Sequence, residues 1–290
     1  MLTISETSNG YFCFEWLITE DGPKVVNFNH LNIKTSLNNP DTFKKIIKFL
    51  SPNLKTNPKS LSISLSNDNY NISQYEYDSN IGLKKSISWY EKKILHPDFY
   101  NSYDFYYYPM FQKNCLLVLS ISKNIKKSLI ESASKLGYRL VYLSADVFSV
   151  HTCVNQIYKI DKKSSYVIWK ISKSNYHYLL HYKNGLLCSY LKVKVNKKDI
   201  KICLNIGQEN SLSSLVEFLF STLVNKKTND IFDDVYIYQT KSNKNILNEV
   251  LRINRNIKII DLTHVAMNES NPLKILQFCE NGISFKGLDV

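Results

Sequence analysis

Two halves of this chain repeat one order of predicted elements, and this repetition constrains the fold more than any other feature of the sequence. In each half, a meander of three strands precedes an apolar helix. The meanders cover residues 2–33 and 166–195. Both of their turns carry hairpin signals, because Asn and Gly tolerate the positive φ that tight hairpin turns need. The matching turns indicate a duplicated unit.

The elements that follow each meander also match. A helix is predicted at residues 41–50 and again at 211–224, where Ser211 is expected to cap the first turn. A short apolar strand follows each helix, and each half then closes with helix, strand and helix. The short strands are predicted at 61–65 and 235–238, and the closing elements at 126–136, 139–144 and 145–158, and at 243–253, 257–262 and 272–281. This alternation predicts a duplicated α/β fold.

One segment of the first half has no counterpart in the second. It contains a polar strand at 71–77, a helix that carries Trp89, Glu91 and Ile94, a tyrosine-rich loop at 103–108, and a strand at 115–121. Such a block can fold as a small α+β subdomain of its own. The predicted domains are therefore residues 1–70 with 126–160 as the first half, 71–125 as the inserted subdomain, and 161–290 as the second half.

The charge of the chain is strongly positive but is carried almost entirely by lysine. The formal net charge is +12, and only Arg139, Arg252 and Arg255 are arginines. Because base readout and bidentate phosphate contacts favour arginine, this composition favours solvated lysine faces over a nucleic-acid footprint. A basic nucleic-acid-binding protein remains an alternative. The N-terminus shows no signal-peptide pattern and the chain has no long apolar run, so a cytoplasmic location is expected.

Three passages resemble a known family. They are SISWYEKKILHP at residues 86–97, the strand–helix–strand–helix passage at 114–150, and FCENGISFKG at 278–287. They are similar to passages of the PilM family of type IV pilus assembly proteins, and of the related cytoplasmic domains of GspL-type secretion proteins. Both belong to the actin-like ATPase superfamily. The resemblance implies a duplicated actin-like, ribonuclease H-like fold with two lobes.

The resemblance also implies where a nucleotide would bind. Members that use ATP carry Asp-x-Gly at the end of the first strand of each half, where the acid holds Mg²⁺ and the glycine admits phosphate. The corresponding residues here are Ser5 and Thr7 in the first half, and Lys170 and Ser172 in the second. A lysine in place of the acid reverses the charge. We therefore expect a degenerate site with no catalytic residue and no cofactor, the alternative being an ATPase that binds ATP and Mg²⁺.

The other candidate residues lack the partners that a metal site or a catalytic site needs. His177 and His181 are predicted to face the same side of one strand, but no third ligand accompanies them. A structural pair is favoured over a metal site, and no metal is predicted. Asp146 is expected to start a helix as a cap or first-turn acid.

The resemblance to PilM implies a scaffold whose work is binding. The expected partner is the short cytoplasmic tail of a bitopic inner-membrane protein like PilN, held in a groove between the first half and the inserted subdomain. Five residues are expected to line that groove: Trp89, Tyr90, Phe105, Tyr107 and Tyr142. The aromatic run at 103–111 also fits a subdomain core equally well. The chain is expected at the cytoplasmic face of the inner membrane, where its lysines suit anionic lipid.

Overall fold

The computed structural model describes residues 1–7, 10–20, 22–37, 39–158, 160–161, 163–172, 175–196, 199–224, 232–239, 258–261 and 288–289. The helices predicted at 243–253 and 272–281 and the passage at 278–287 lie outside the described residues. In chain order, the elements are β1 Leu2–Thr7, β2 Gly10–Thr19, β3 Gly22–Leu31, α1 Pro40–Leu50, β4 Ser60–Leu65, β5 Tyr70–Glu76, α2 Leu83–Trp89, α3 Pro97–Ser102, β6 Tyr103–Pro109, β7 Cys115–Ser122, α4 Lys123–Lys135, β8 Arg139–Ala145, α5 Asp146–Tyr158, β9 Ser165–Ile171, β10 Tyr176–Lys183, β11 Leu186–Asn196, β12 Asp199–Gly207, α6 Glu209–Val224, β13 Asp234–Gln239, β14 Lys258–Asp261 and β15 Leu288–Asp289.

The two halves contain sheets that share five strands in the same order and differ in the sixth, which is β15, antiparallel to β8, in the first sheet and β12, antiparallel to β11, in the second. The first sheet has the order β15-β8-β4-β1-β2-β3, and the second has the order β12-β11-β10-β9-β13-β14. In both, an antiparallel meander leads into parallel strands on the other side of its first strand. The shared order confirms the predicted α/β fold with its repeated meander, helix and parallel strands.

Two details of the second half differ from the prediction. The meander continues into a fourth strand, β12, which pairs along β11. The helix α6 begins at Glu209, so Ser211 lies within the first turn and is not its cap. The Ser211 hydroxyl instead lies 2.5 Å from Nδ1 of His181 and 2.5 Å from the hydroxyl of Ser189. The Ser211 hydroxyl therefore forms its hydrogen bonds with His181 and Ser189 and does not cap the helix.

The inserted segment forms a separate three-stranded sheet in the order β5-β7-β6. The prediction of a loop for the tyrosine-rich run is wrong, because this run forms the edge strand β6. Successive side chains of β6 point to opposite faces of the inserted sheet. Tyr107 packs near Tyr90 on one face, and Tyr106 accepts a 3.0 Å hydrogen bond from Lys126 of α4 on the other. The helix α2 continues into a π-helical turn at Tyr90–Ile94.

The inserted sheet also contacts the second half. The amide of Gly207, at the end of β12, donates a 2.7 Å hydrogen bond to the side chain of Gln74 on β5. Beyond β6, Met110 forms a parallel bridge with Leu187 on β11. The inserted sheet is therefore attached to both halves.

One apolar core runs through all three parts. It includes Ile63 of the first half, Leu119 of the inserted sheet and Leu180 of the second half. Strand β9 shows how the second sheet divides, because Ile168 belongs to this shared core while Trp169 faces a second core beneath α6. The halves are thus packed face to face over a common apolar layer.

Gly10 provides a test of the first hairpin. Its φ is +132°, and a Cβ added there would lie 1.8 Å from the carbonyl oxygen of Leu31. We expect Gly10→Ala to lower the free energy of unfolding by more than about 2 kcal/mol, measured by urea denaturation. Gly185→Ala is the control, because Gly185 also has a positive φ but has open space around its Cβ position. An equal loss in both variants would contradict the steric argument.

Candidate functional site at the junction of the two halves

Lys170 lies on β9 at the position where the resemblance places a magnesium-binding acid. Its side chain faces the first half, and the residue is only 5% exposed. The ammonium group forms an ion pair with the carboxylate of Asp146, the first residue of α5. A buried lysine requires such a partner, because an uncompensated charge in the interior is very costly. The pair joins the two halves across their interface.

Asp146 is held by more than the lysine. The Tyr70 hydroxyl at the start of β5 donates a 2.6 Å hydrogen bond to Asp146 Oδ1, and the amide of Val147 donates another of 2.7 Å. Burial and the nearby carboxylate raise the pKa of Tyr70 well above its usual value, so the phenol keeps its proton. The Asp146 cluster, defined as Asp146, Lys170 and Tyr70, therefore contains groups from all three parts of the molecule.

Tyrosines of the second sheet surround the Asp146 cluster. Lys170 Nζ lies 5.8 Å from the ring centroid of Tyr178, and Tyr190 is completely buried. The Tyr190 hydroxyl has no hydrogen-bond partner within the described part of the chain. Burial is the main cause that raises the pKa of both phenols above the usual tyrosine value. Lys170 therefore lies beside buried tyrosines of the second sheet.

The first half has its own buried acid beside the corresponding position. Glu6, the residue between Ser5 and Thr7, is buried at the end of β1. Its carboxylate accepts five hydrogen bonds: from Tyr11 OH at 3.4 Å, Leu37 N at 3.3 Å, Ser66 N at 3.2 Å, Ser66 Oγ at 2.8 Å and Asn69 Nδ2 at 2.5 Å. Donors that would otherwise be available to an anion here are therefore used by Glu6.

The four residues predicted at the nucleotide position are placed as follows. Ser5 is buried in the middle of the sheet, opposite Phe12 on β2 and Ser64 on β4. Thr7 ends β1 opposite Gly10. Lys170 belongs to the Asp146 cluster, and the amide of Ser172 donates a 2.8 Å hydrogen bond to the carbonyl of Tyr176 across the turn.

His177 and His181 lie on one side of β10, against α6, as the spacing predicts. Nδ1 of His177 accepts a 3.0 Å hydrogen bond from the indole of Trp169. His181 lies between the hydroxyls of Ser165, at 2.9 Å, and Ser211. Burial lowers the pKa of each histidine to about 4, so both are neutral near pH 7. No metal-binding group of His, Cys, Asp or Glu occurs among the described residues.

An apolar cavity of about 300 Å³ lies where the three parts of the molecule meet. Its wall combines residues of the inserted sheet, of β8 and α5 in the first half, and of the β10–β11 hairpin. The lining residues are Tyr108, Pro109, Leu117, Leu119, Ser144, Phe148, His151, Tyr182, Gly185, Leu186 and Leu187. His151 stacks on Tyr182 with the ring centroids 3.8 Å apart, and its Nε2 lies 2.7 Å from the hydroxyl of Tyr166. This wall is mostly apolar.

The five residues expected at a partner surface lie elsewhere among the described residues. Tyr90 is buried between Tyr75 and Tyr107, whose hydroxyl donates a 2.9 Å hydrogen bond to Glu91. Phe105 packs near Phe99 and Tyr100, Trp89 is exposed on α2, and Tyr142 lies on β8 between Ser62 and Asp289. The structure thus brings Tyr90 and Tyr107 together where the helical segment that follows α2 packs on the inserted sheet. A role for these residues in partner binding stays a prediction.

The fold of the chain is similar to that of solved structures. A chain of a "PilM-PilN type IV pilus biogenesis complex" has a TM-score of 0.61 to this chain at 9% identity, and the match covers 98% of this chain and 97% of that one. The chain has an actin-like fold. A Bacteroides thetaiotaomicron protein with an actin-like ATPase fold matches with a TM-score of 0.48, 13% identity, and 95% and 93% coverage. The cytoplasmic domain of EpsL from the Vibrio cholerae type II secretion system matches with 0.49, 8%, and 99% and 96%.

The sequence itself has no such match. No family model matches the chain, and no curated protein matches it. The actin-like fold therefore rests on the structure. The part of the chain that the structure describes contains no helix both long and apolar enough to cross a membrane.

Sequence reasoning missed the two acids that shape this actin-like junction. Glu6 lies between Ser5 and Thr7, at the position of Asp-x-Gly where any residue is allowed, and was therefore not considered. Asp146 was recognised as a first-turn acid, but its partner was not. One signal was available: Lys170 interrupts an apolar strand on the side that alternation assigns to the shared core, and a lysine there requires a nearby carboxylate.

The ion pair can be tested by removing one partner. Lys170→Met leaves the Asp146 carboxylate buried and uncompensated, so we expect the free energy of unfolding to fall by about 3–5 kcal/mol. Urea denaturation measures this change. The double variant Asp146→Asn with Lys170→Met removes both charges and is expected to be more stable than Lys170→Met alone. Lys201→Met, at an exposed site on β12, is the control; an equal loss there would contradict the argument.

The histidines predict a pH dependence. Their pKa is about 4 in the folded protein and near 6.5 when unfolded, so the stability that they contribute is fully present above about pH 6.5 and is lost as the pH falls toward 4. We expect a loss of roughly 2 kcal/mol for each of His177 and His181 between pH 7 and pH 5. Urea denaturation at both pH values measures it, and His96→Gln, at an exposed site, should keep the same slope. Equal stability at pH 5 and pH 7 would refute the assignment.

Proposed function

We propose that the protein is a non-catalytic actin-like scaffold of a type IV pilus or type II secretion-like assembly platform. In this proposal it binds the cytoplasmic segment of an inner-membrane partner and works at the cytoplasmic face of that membrane. Neither nucleotide hydrolysis nor a cofactor is part of its function.

The buried Asp146–Lys170 pair is the observation that carries the non-catalytic part of the proposal. A magnesium site needs oxygen ligands, and an ammonium group at this position repels Mg²⁺. Moving Lys170 away to admit a nucleotide would leave Asp146 unpaired in the interior. The five donors on Glu6 support the same conclusion for the first half, because a bound phosphate would have to compete with a carboxylate that is already satisfied.

The cavity supports the binding part of the proposal. Its volume of about 300 Å³ suits one or two large apolar side chains of a peptide. It lies where the inserted sheet meets the first half, which is the place that the resemblance implies for a partner tail. The fold likeness to PilM, which was solved in complex with PilN, supports the choice of a membrane-protein partner.

Peptide binding tests the proposal. Labelled peptides that cover the cytoplasmic tails of single-span membrane proteins from the same genome are titrated with the purified protein, and fluorescence anisotropy is measured. We expect one tail to bind, and we expect Leu186→Asp, at the mouth of the cavity, to weaken it at least tenfold because a carboxylate there opposes apolar burial. Leu17→Asp is the matched control, since Leu17 is an exposed leucine on β2 of the first half.

The outcomes separate the two parts of the proposal. Binding that is unaffected by Leu186→Asp would place the partner outside the cavity and would contradict the site. A thermal-shift titration with ATP and Mg²⁺ addresses the other part, because a ligand that binds the native state raises the melting temperature. No rise is expected at millimolar ATP, and a clear Mg²⁺-dependent rise would establish a nucleotide-binding protein instead.

A further inference from the structure

Trp89 is exposed, unlike the other tryptophans of the chain. The three tryptophans are Trp16, Trp89 and Trp169; Trp16 and Trp169 are 1% and 0% exposed, whereas Trp89 at the end of α2 is 54% exposed. A single exposed apolar side chain is common on protein surfaces, whereas a contiguous exposed apolar patch marks an interaction site. The surroundings of Trp89 therefore decide whether it belongs to a binding surface.

Lysines surround this indole on the same side of the helix. Lys85 precedes Trp89 by four residues on α2 and so lies next to it on the helix surface, and Lys92 and Lys93 belong to the π-helical turn Tyr90–Ile94 that directly follows Trp89. All three are exposed. The indole is thus set among ammonium groups.

The opposite side of this segment is anchored in the protein. Ser86 and Tyr90 are buried, and Tyr90 packs on Tyr75 of β5. The acid of residues 83–94, Glu91, accepts a hydrogen bond from Tyr107 and is only partly exposed. The fold therefore holds the carboxylate toward the sheet while the lysines and the indole face outward.

Further apolar side chains extend the exposed surface. Ile81, Leu83 and Ile94 flank the same segment, and each is about half exposed. We define the Trp89 face as Trp89 with Lys85, Lys92, Lys93 and these three side chains. It combines apolar groups with positive charge and presents no free acid from its own helix.

We propose that the Trp89 face is a membrane-binding surface that docks directly on an anionic phospholipid bilayer. Indole rings favour the headgroup region of a bilayer, where their amphipathic character is satisfied. Lysine side chains reach phosphates while their aliphatic stems cover apolar surface. An acidic protein surface is a less suitable partner, because the centres of protein interfaces favour arginine and are depleted in lysine.

This surface is independent of the tail-binding cavity. The cavity lies between the inserted sheet and the two halves, whereas the Trp89 face is on the helical side of the inserted sheet. A protein that binds lipid through this face needs no protein partner to reach the membrane. Vesicles that contain lipid alone therefore test it separately from the proposed function.

The experiment uses intrinsic fluorescence and co-sedimentation with vesicles of phosphatidylcholine and phosphatidylglycerol in a 7:3 ratio. Because Trp16 and Trp169 are buried, a blue shift of the emission on adding vesicles reports the transfer of Trp89. We expect this shift and co-sedimentation in 0.15 M NaCl, with both strongly reduced in 0.5 M NaCl. Vesicles of phosphatidylcholine alone are expected to bind much less.

Variants locate the binding. Trp89→Ser should lower the partition coefficient about tenfold, and the triple change Lys85→Gln, Lys92→Gln and Lys93→Gln about a hundredfold, since each lysine contributes roughly fivefold. The control is the triple change Lys44→Gln, Lys45→Gln and Lys48→Gln on α1, which removes three exposed lysines beside Phe49, a residue that is 54% exposed. The control should bind within about twofold of the unaltered protein.

Two results would overturn the proposal. Absence of binding to anionic vesicles, with an unchanged emission spectrum, would exclude lipid and leave an acidic protein as the partner of this face. Equal losses in the α1 control and in the Trp89-face variants would show that only the overall charge attracts the protein. Circular dichroism of each variant verifies that the fold is retained.

Discussion

The buried ion pair between Lys170 and Asp146 is the interaction on which the junction depends. It lies at the position where the two halves of an actin-like protein face each other, and it joins α5 of the first half to β9 of the second. Because neither charge can lose its partner without a large cost in the interior, the pair fixes how the two sheets meet. Tyr70 adds the inserted sheet to the same contact through its hydrogen bond to Asp146.

The tyrosines on the inner face of the second sheet follow from this arrangement. Tyr166, Tyr178 and Tyr190 alternate with residues that face α6 and pack in the shared core between the sheets, where Tyr178 and Tyr190 lie near the Asp146 cluster. Large aromatic side chains therefore make up much of the packing between the two sheets beside Lys170.

The sequence was sufficient for the repeated order of elements but not for the contacts between them. Turn residues and apolar periodicity are local signals, so the meanders, α1 and the parallel strands were predictable. Strand β12, at Asp199–Gly207, was not predicted, because the meander was predicted to end at residue 195. The partners of Lys170 and Glu6 were missed for a different reason: Asp146 and Asn69 reach them only when distant segments pack together, and spacing along the chain carries no information about such pairs.

The contact of Gly207 with Gln74 has a consequence for how the molecule moves. It closes a loop of connections, because the inserted sheet is covalently part of the first half and is also attached to the second half through Gly207 and through the bridge between Met110 and Leu187. Rotation of one half against the other would have to break both of these attachments at once. A movement of one half relative to the other would therefore also displace the inserted sheet, so the three parts of the molecule are mechanically coupled.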